Sequence, residues 1–157
     1  MSIDPPTLRR TQPSTLHPVE DRQDGMRVPV PLASFIGRSR EIAACASLVR
    51  GRTARLVTLI GPGGVGKTRL ALQVAADLAT DFADGADFVE LSSIHDPALV
   101  APAIARALGI RRTHDEPAIA ALKRALKGRD HLLVLDNFEQ VIDAAPMLSE
   151  LLEASPG

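Results

Sequence analysis

The stretch Arg55-Leu56-Val57-Thr58-Leu59-Ile60-Gly61-Pro62-Gly63-Gly64-Val65-Gly66-Lys67-Thr68 decides how the rest of the chain reads. Residues 55–60 are apolar and rich in β-branched side chains, and Gly61 bounds them. This predicts a buried strand. Residues 61–68 then match G-x-x-x-x-G-K-[ST] at every fixed position. From Lys67 to about Thr80, the residues Leu70, Val74 and Leu78 recur on one stripe, which predicts an amphipathic helix. A strand entering and a helix leaving is the context in which this motif forms a phosphate-binding loop. A glycine turn that merely joined strand to helix would not need the Lys-Thr pair.

The chemistry of such a loop follows from its backbone. Glycines let successive N–H groups converge on one point and make a nest for anions. The helix behind them adds its unpaired amides and its N-terminal partial positive charge. Gly61, Pro62, Gly63, Gly64, Val65, Gly66, Lys67 and Thr68 are therefore candidate phosphate-binding residues. Lys67 supplies a mobile point charge for the β- and γ-phosphates, and the Thr68 hydroxyl is placed to ligate Mg²⁺. Arg69 follows directly and reads equally well as a phosphate contact or as a solvated helix charge.

A second apolar run, His131-Leu132-Leu133-Val134-Leu135-Asp136, predicts a parallel strand covered on both faces. It carries Asp136 to the C-terminal edge of the sheet, where open α/β sheets bind ligands. Paired with the phosphate loop, Asp136 is the expected second metal-holding group, acting through water. Position 137 is informative, because the base that activates water is usually a carboxylate. Asn137 can orient a water but cannot accept its proton. Glu139, two residues on, is a candidate substitute but reads more readily as a solvated residue near a helix start. Slow hydrolysis with good binding is the expectation.

The remaining pattern alternates strands and helices. Helices are predicted from Ser39, as cap, to Arg50 with Gly51 as the stop; from Asp96-Pro97 through Val100, Ile104 and Leu108 to Gly109; from Pro117 to Gly128; and over 146–154. A strand is predicted over 86–91, with Asp87 and Glu90 as solvated flanks. Such alternation implies a parallel α/β sheet. Residues 1–33 differ: six of the twelve prolines fall there, apolar residues show no period, and the stretch reads as a disordered or extended leader. Residues 34–157 read as the folded domain.

Composition excludes several classes. A length of 157 residues, 45% apolar and 24% charged, fits one globular domain. The net charge of −1 offers no electrostatic case for nucleic-acid or membrane binding, and 3% aromatics offers no stacking platform. The single cysteine, Cys45, makes no internal disulfide and is expected to pack inertly. No run approaches the ~20 apolar residues of a membrane span, and no secretory signal opens the chain, so a cytoplasmic location is expected. His17, His95, His114 and His131 lack ligand spacing for a metal.

Several segments together carry a family resemblance. They are Phe35-Ile36-Gly37-Arg38 with Glu41-Ile42, the phosphate loop continued through Arg69-Leu70, Phe88-Val89-Glu90-Leu91, Asp96-Pro97-Ala98-Leu99-Val100, and Leu132-Leu133-Val134-Leu135-Asp136-Asn137-Phe138-Glu139. From about Ala33 onward the chain resembles the NB-ARC- or AAA-like nucleotide-binding domain of STAND-type P-loop NTPases, above all in bacterial multidomain regulators of the LuxR and SARP type. The resemblance implies a three-layer α/β/α P-loop fold that binds ATP or ADP with Mg²⁺ and works as a slow-hydrolysing regulatory switch. It implies that Ile36, Gly37 and Arg38 lie near the adenine, although Arg38 also reads as a surface charge at a helix start. In the family, a further strand with a sensor Arg, a helical domain and a winged-helix domain follow. The expectation is therefore an N-terminal part of such a regulator, ending before its later strands and completed by other domains or subunits. In the family's sheet one of those strands lies between the phosphate-loop strand and the acidic strand. Without it the two either pair directly or leave unpaired edges. The competing readings are a small P-loop phosphotransferase and a shortened, non-catalytic nucleotide-binding fragment.

Overall fold

A computed structural model describes residues 26–29 and 37–155. Strand β1 (Met26–Arg27), β2 (Ala86–Glu90) and β3 (Leu132–Asp136) form a parallel sheet in the order β1-β2-β3. Ala86 to Glu90 pair in register with Leu132 to Asp136. The ladder runs one step further, because the Leu91 N–H donates to the Asp136 carbonyl at 3.1 Å. β1 lies within the proline-rich stretch and pairs with Ala86 and Asp87. Two residues carry no period, so nothing in the sequence announces them.

Side-chain parity sorts the two faces of the sheet. Ala86, Phe88, Leu132 and Val134 pack with Ala75 and Leu72 of helix α2 (Lys67–Leu78). Val89, Leu133 and Leu135 point the other way. Leu91, just past β2, joins them against α3 (Val100–Ala107), α4 (Ala118–Leu126) and α5 (Ala145–Ala154). Helix α1 (Ser39–Arg50) lies outside α2: Ile42, Cys45, Ala46 and Val49 pack on Val74 and Leu78. The architecture is a three-layer α/β/α sandwich on a parallel sheet.

Helix ends follow local chemistry with two differences. Asp96 caps as expected, its carboxylate accepting from the Ala98 N–H at 2.9 Å. A short 3₁₀ turn, Pro97–Leu99, leads from it into α3. Gly109 (φ 64) closes α3, with the Ile110 N–H on the Ala105 carbonyl. At α1, however, Ser39 is the first helical residue rather than the cap. Arg38 takes that position in the left-handed region, with φ 58 and no side-chain cap bond. At the other end Gly51 stays right-handed and Arg52 turns left-handed (φ 51). The cause is tertiary: Arg52 Nη2 donates to both oxygens of Asp130 at 2.7 Å, and its guanidinium lies 5.4 Å from the centre of the Phe82 ring.

The largest correction concerns residues 55–60, expected as a buried strand. They join no ladder among the described residues. Val57 and Leu59 are half-buried, but Leu56 is 58% and Ile60 92% exposed. The side chains alternate as in a strand; what is missing among the described residues is a neighbour to take the backbone donors and acceptors. Nor does the segment pair with β3, one of the arrangements allowed above. Among the described residues β3 bonds only β2, and all five of its residues are half-buried. The start of the segment is tied instead to α5, through the Arg55 guanidinium on the carbonyls of Leu152 and Ser155.

Candidate functional site

The loop of residues 61–66 delivers α2 with its N-terminus open. Gly66 is the cap, in the left-handed region at φ 86, and its carbonyl accepts from Leu70 N–H at 3.0 Å. An L side chain there would strain the turn that starts the helix. Gly61 matters for a different reason: a Cβ built on it would come within 3.3 Å of Val65 Cγ2. At Gly63, Gly64 and Gly66 an added Cβ meets nothing within 4 Å, so these positions face open space. The first-turn amides of α2 have no intrahelical acceptor, as in any helix.

Lys67 and Thr68 project into this region. The Lys67 ammonium donates back to the loop carbonyls of Gly61 at 2.9 Å and Pro62 at 3.2 Å. The Thr68 hydroxyl is shared between Asp136 Oδ1 at 2.9 Å and Oδ2 at 2.8 Å. This contact links the start of α2 to the end of β3 across 68 residues of sequence. Hydroxyl and carboxylate meet on the α2 face of the sheet's C-terminal edge, both partly buried. Such a pair suits Mg²⁺, which takes one or two protein oxygens and completes its octahedron with water and phosphate. No group of three or more His, Cys, Asp or Glu among the described residues could cage a metal without such help.

Asn137 follows Asp136 in the left-handed region (φ 61) and caps the 3₁₀ segment Phe138–Ala144. Phe138 packs into the cluster of α3, α4 and α5, so the chain turns to the sheet face opposite α2. That turn takes Glu139, which is exposed, with it. Arg69 is exposed on α2. Gly37 and Arg38 lie at the start of α1, both left-handed and exposed. No hydrogen bond or ion pair among the described residues joins them to the loop. Ile36 lies outside the described residues.

One acid gains a position that sequence alone did not supply. Glu90, read as a solvated flank, is the Cα partner of Asp136 at the same edge of the sheet. Its parity with Ala86 and Phe88 was available as a signal; its register against Asp136 was not. At the opposite end of the strands lies a separate polar group. His131 Nε2 is 3.1 Å from Asp87 Oδ2, in poor alignment for a hydrogen bond, while Nδ1 is 2.9 Å from the Asp84 carbonyl. It takes no part in the site.

A loop for phosphate, a helix opening behind it and an acid-ended strand beside it define a P-loop α/β domain. Comparison with known families agrees: the sequence profile described as "AAA domain" matches residues 49–155, and the chain belongs to that family. A Mycobacterium tuberculosis protein that carries the provisional name HTH-type transcriptional regulator is 46% identical over 103 residues, covering 65% of this chain and 12% of its own length. An uncharacterized protein of the same organism is 37% identical over 126 residues, covering 80% of this chain and 32% of its own. The regulatory protein AfsR of Streptomyces griseus is 33% identical over 134 residues, covering 78% and 14%. The chain thus spans a minor part of the length of the curated relatives it matches. No solved structure matches it at a significant level. No described helix is long and apolar enough to cross a membrane.

Proposed function

We propose that this chain binds Mg-ATP or Mg-ADP and serves as a slow-hydrolysing switch of the STAND/NB-ARC kind within a cytoplasmic transcriptional regulator. The observation that carries the reading is the Thr68 hydroxyl seated on the Asp136 carboxylate beside an open glycine loop. In this reading the loop amides of 63–68 take the phosphates. Lys67 leaves the carbonyls of Gly61 and Pro62 to reach the β- and γ-oxygens, where its charge neutralises the polyphosphate. Thr68 and Asp136 would hold the metal in place of their mutual hydrogen bond. The metal's contribution is to offset charge on the phosphate oxygens. Asn137 orients a water and leaves hydrolysis slow. Other domains or subunits complete the sheet; this is supported by the 55–60 stretch, which joins no ladder among the described residues, and by β3, which has one partner strand among them.

The regulator role rests on the names of the relatives, AfsR among them. The test of nucleotide binding is calorimetric titration of the chain with Mg-ATP and Mg-ADP, repeated on Lys67→Ala. The parent should bind, and the variant should lose at least about a hundredfold in affinity while keeping its circular dichroism. This is the loss expected when a charge-assisted phosphate contact of about 3 kcal/mol disappears. Unchanged affinity in the variant would remove Lys67 from the site, and no binding by the folded parent would remove the function.

A further inference from the structure

We propose that Glu90 is the catalytic carboxylate of this site, the group that takes the proton of the attacking water. The inference rests on the reading that Asp136 and Thr68 hold the metal beside the phosphates. Three observations place Glu90. It is paired in register with Asp136 on the adjacent parallel strand, and neighbouring strands run about 4.8 Å apart. It shares the parity of Ala86 and Phe88, whose side chains pack toward α2, the helix that carries Lys67 and Thr68. And the backbone around it is fixed, because the next residue, Leu91, donates its N–H to the Asp136 carbonyl at 3.1 Å.

The side chain is suited to the task. Glu90 is exposed, and among the described residues only Oε1 is engaged, accepting from Ser92 Oγ at 2.9 Å. That bond steadies the carboxylate and leaves Oε2 to accept from a water. Glu is one methylene longer than Asp, so its carboxylate extends further past the edge of the sheet. The other acids at hand are badly placed. Asp87, the remaining acid of β2, is held near His131 at the far end of the strands. Glu139 follows the turn at Asn137 toward the opposite face, and Asn137 itself accepts no proton.

The step balances without a further reactant. The water oxygen forms a bond to the γ-phosphorus while the bond from that phosphorus to the bridging oxygen breaks. The electron pair of the broken bond stays with ADP. The water's proton passes to Glu90, which returns it to solvent once inorganic phosphate has left.

Glu90→Gln separates this role from a structural one, because the amide oxygen still accepts from Ser92. Single-turnover hydrolysis of radiolabelled ATP should fall about a hundredfold or more, the usual worth of a general base. Calorimetric affinity for Mg-ATP and the melting temperature should match the parent. Nucleotide extracted from the protein after incubation with ATP should be mainly ADP in the parent and mainly ATP in the variant. A Gln variant within about threefold of the parent's rate overturns the proposal, as does a parent that binds Mg-ATP but fails to hydrolyse it within a day. A parent that binds no Mg-ATP overturns the site reading and this inference with it, an outcome the calorimetry identifies separately.

Discussion

In the proposed mechanism a single position, Asn137, limits the rate. It leaves β3 at φ 61, a conformation that Asn and Asp tolerate better than most residues because their short side chains bond locally. Its amide can hold a water but takes no proton. Asn137→Asp keeps the backbone preference and, beside the proposed Glu90 base, adds a second proton acceptor next to the proposed metal-holding pair. Turnover should rise about tenfold or more with little change in Mg-ATP affinity, measured under single-turnover conditions. A variant as slow as the parent would sink the idea that position 137 limits the reaction. At this scale most of the site was legible. Lys67, Thr68 and the glycines belong to one contiguous motif, and Asp136 ends a run of four apolar residues, so each could be read from its neighbours alone. Glu90 could not, because its meaning comes from a residue 46 positions away that pairs with it. The adenine-side candidates Gly37 and Arg38 are placed at the start of α1 with no polar contact to the loop.

The elements were legible wherever periodicity or a cap marks them. The stripes of α2 and α3 are buried as expected: Leu70, Val74 and Leu78 on one, Val100 and Ile104 on the other. Gly109 and Gly128 stop their helices, at φ 64 and 72. Polar residues that bind elements to one another were not legible, since they act across long separations. The contact between His131 and Asp87 joins β3 to β2, with side chains only 8% and 13% exposed. Asp87→Ala would leave the ring without its acidic neighbour and should cost about 1–3 kcal/mol in urea unfolding. A variant as stable as the parent would show that the contact contributes nothing net. A second link pins the turn between α3 and α4, where Arg124 donates to both Glu116 oxygens and to the Arg111 carbonyl. The Arg124 hydrogen bond holds the Glu116 carboxyl below its ordinary value. Its small contribution is therefore present above the ordinary carboxylate range and fades as pH falls through the lowered value. Arg124 is solvent-exposed and Glu116 half-buried, so screening by water keeps that contribution slight.

Over the whole molecule the open side of the sheet is the dominant feature. Leu56 and Ile60 are exposed on an extended segment that joins no ladder among the described residues, where β3 has one partner strand. Unpaired backbone and apolar side chains in the same region favour association through that face. Sedimentation velocity should show concentration-dependent self-association of this chain, weakened by Leu56→Lys. A monodisperse monomer across the micromolar range would refute this. The helix stripes, the phosphate-loop motif and the acid-ended strand were set by sequence alone, because each depends on residues within a turn or a strand of one another. Whether 55–60 becomes a strand, which strands lie side by side, and that Glu90 stands beside Asp136 were decided only in three dimensions. A strand exists through the hydrogen bonds of its neighbour, and no local pattern specifies who that neighbour is.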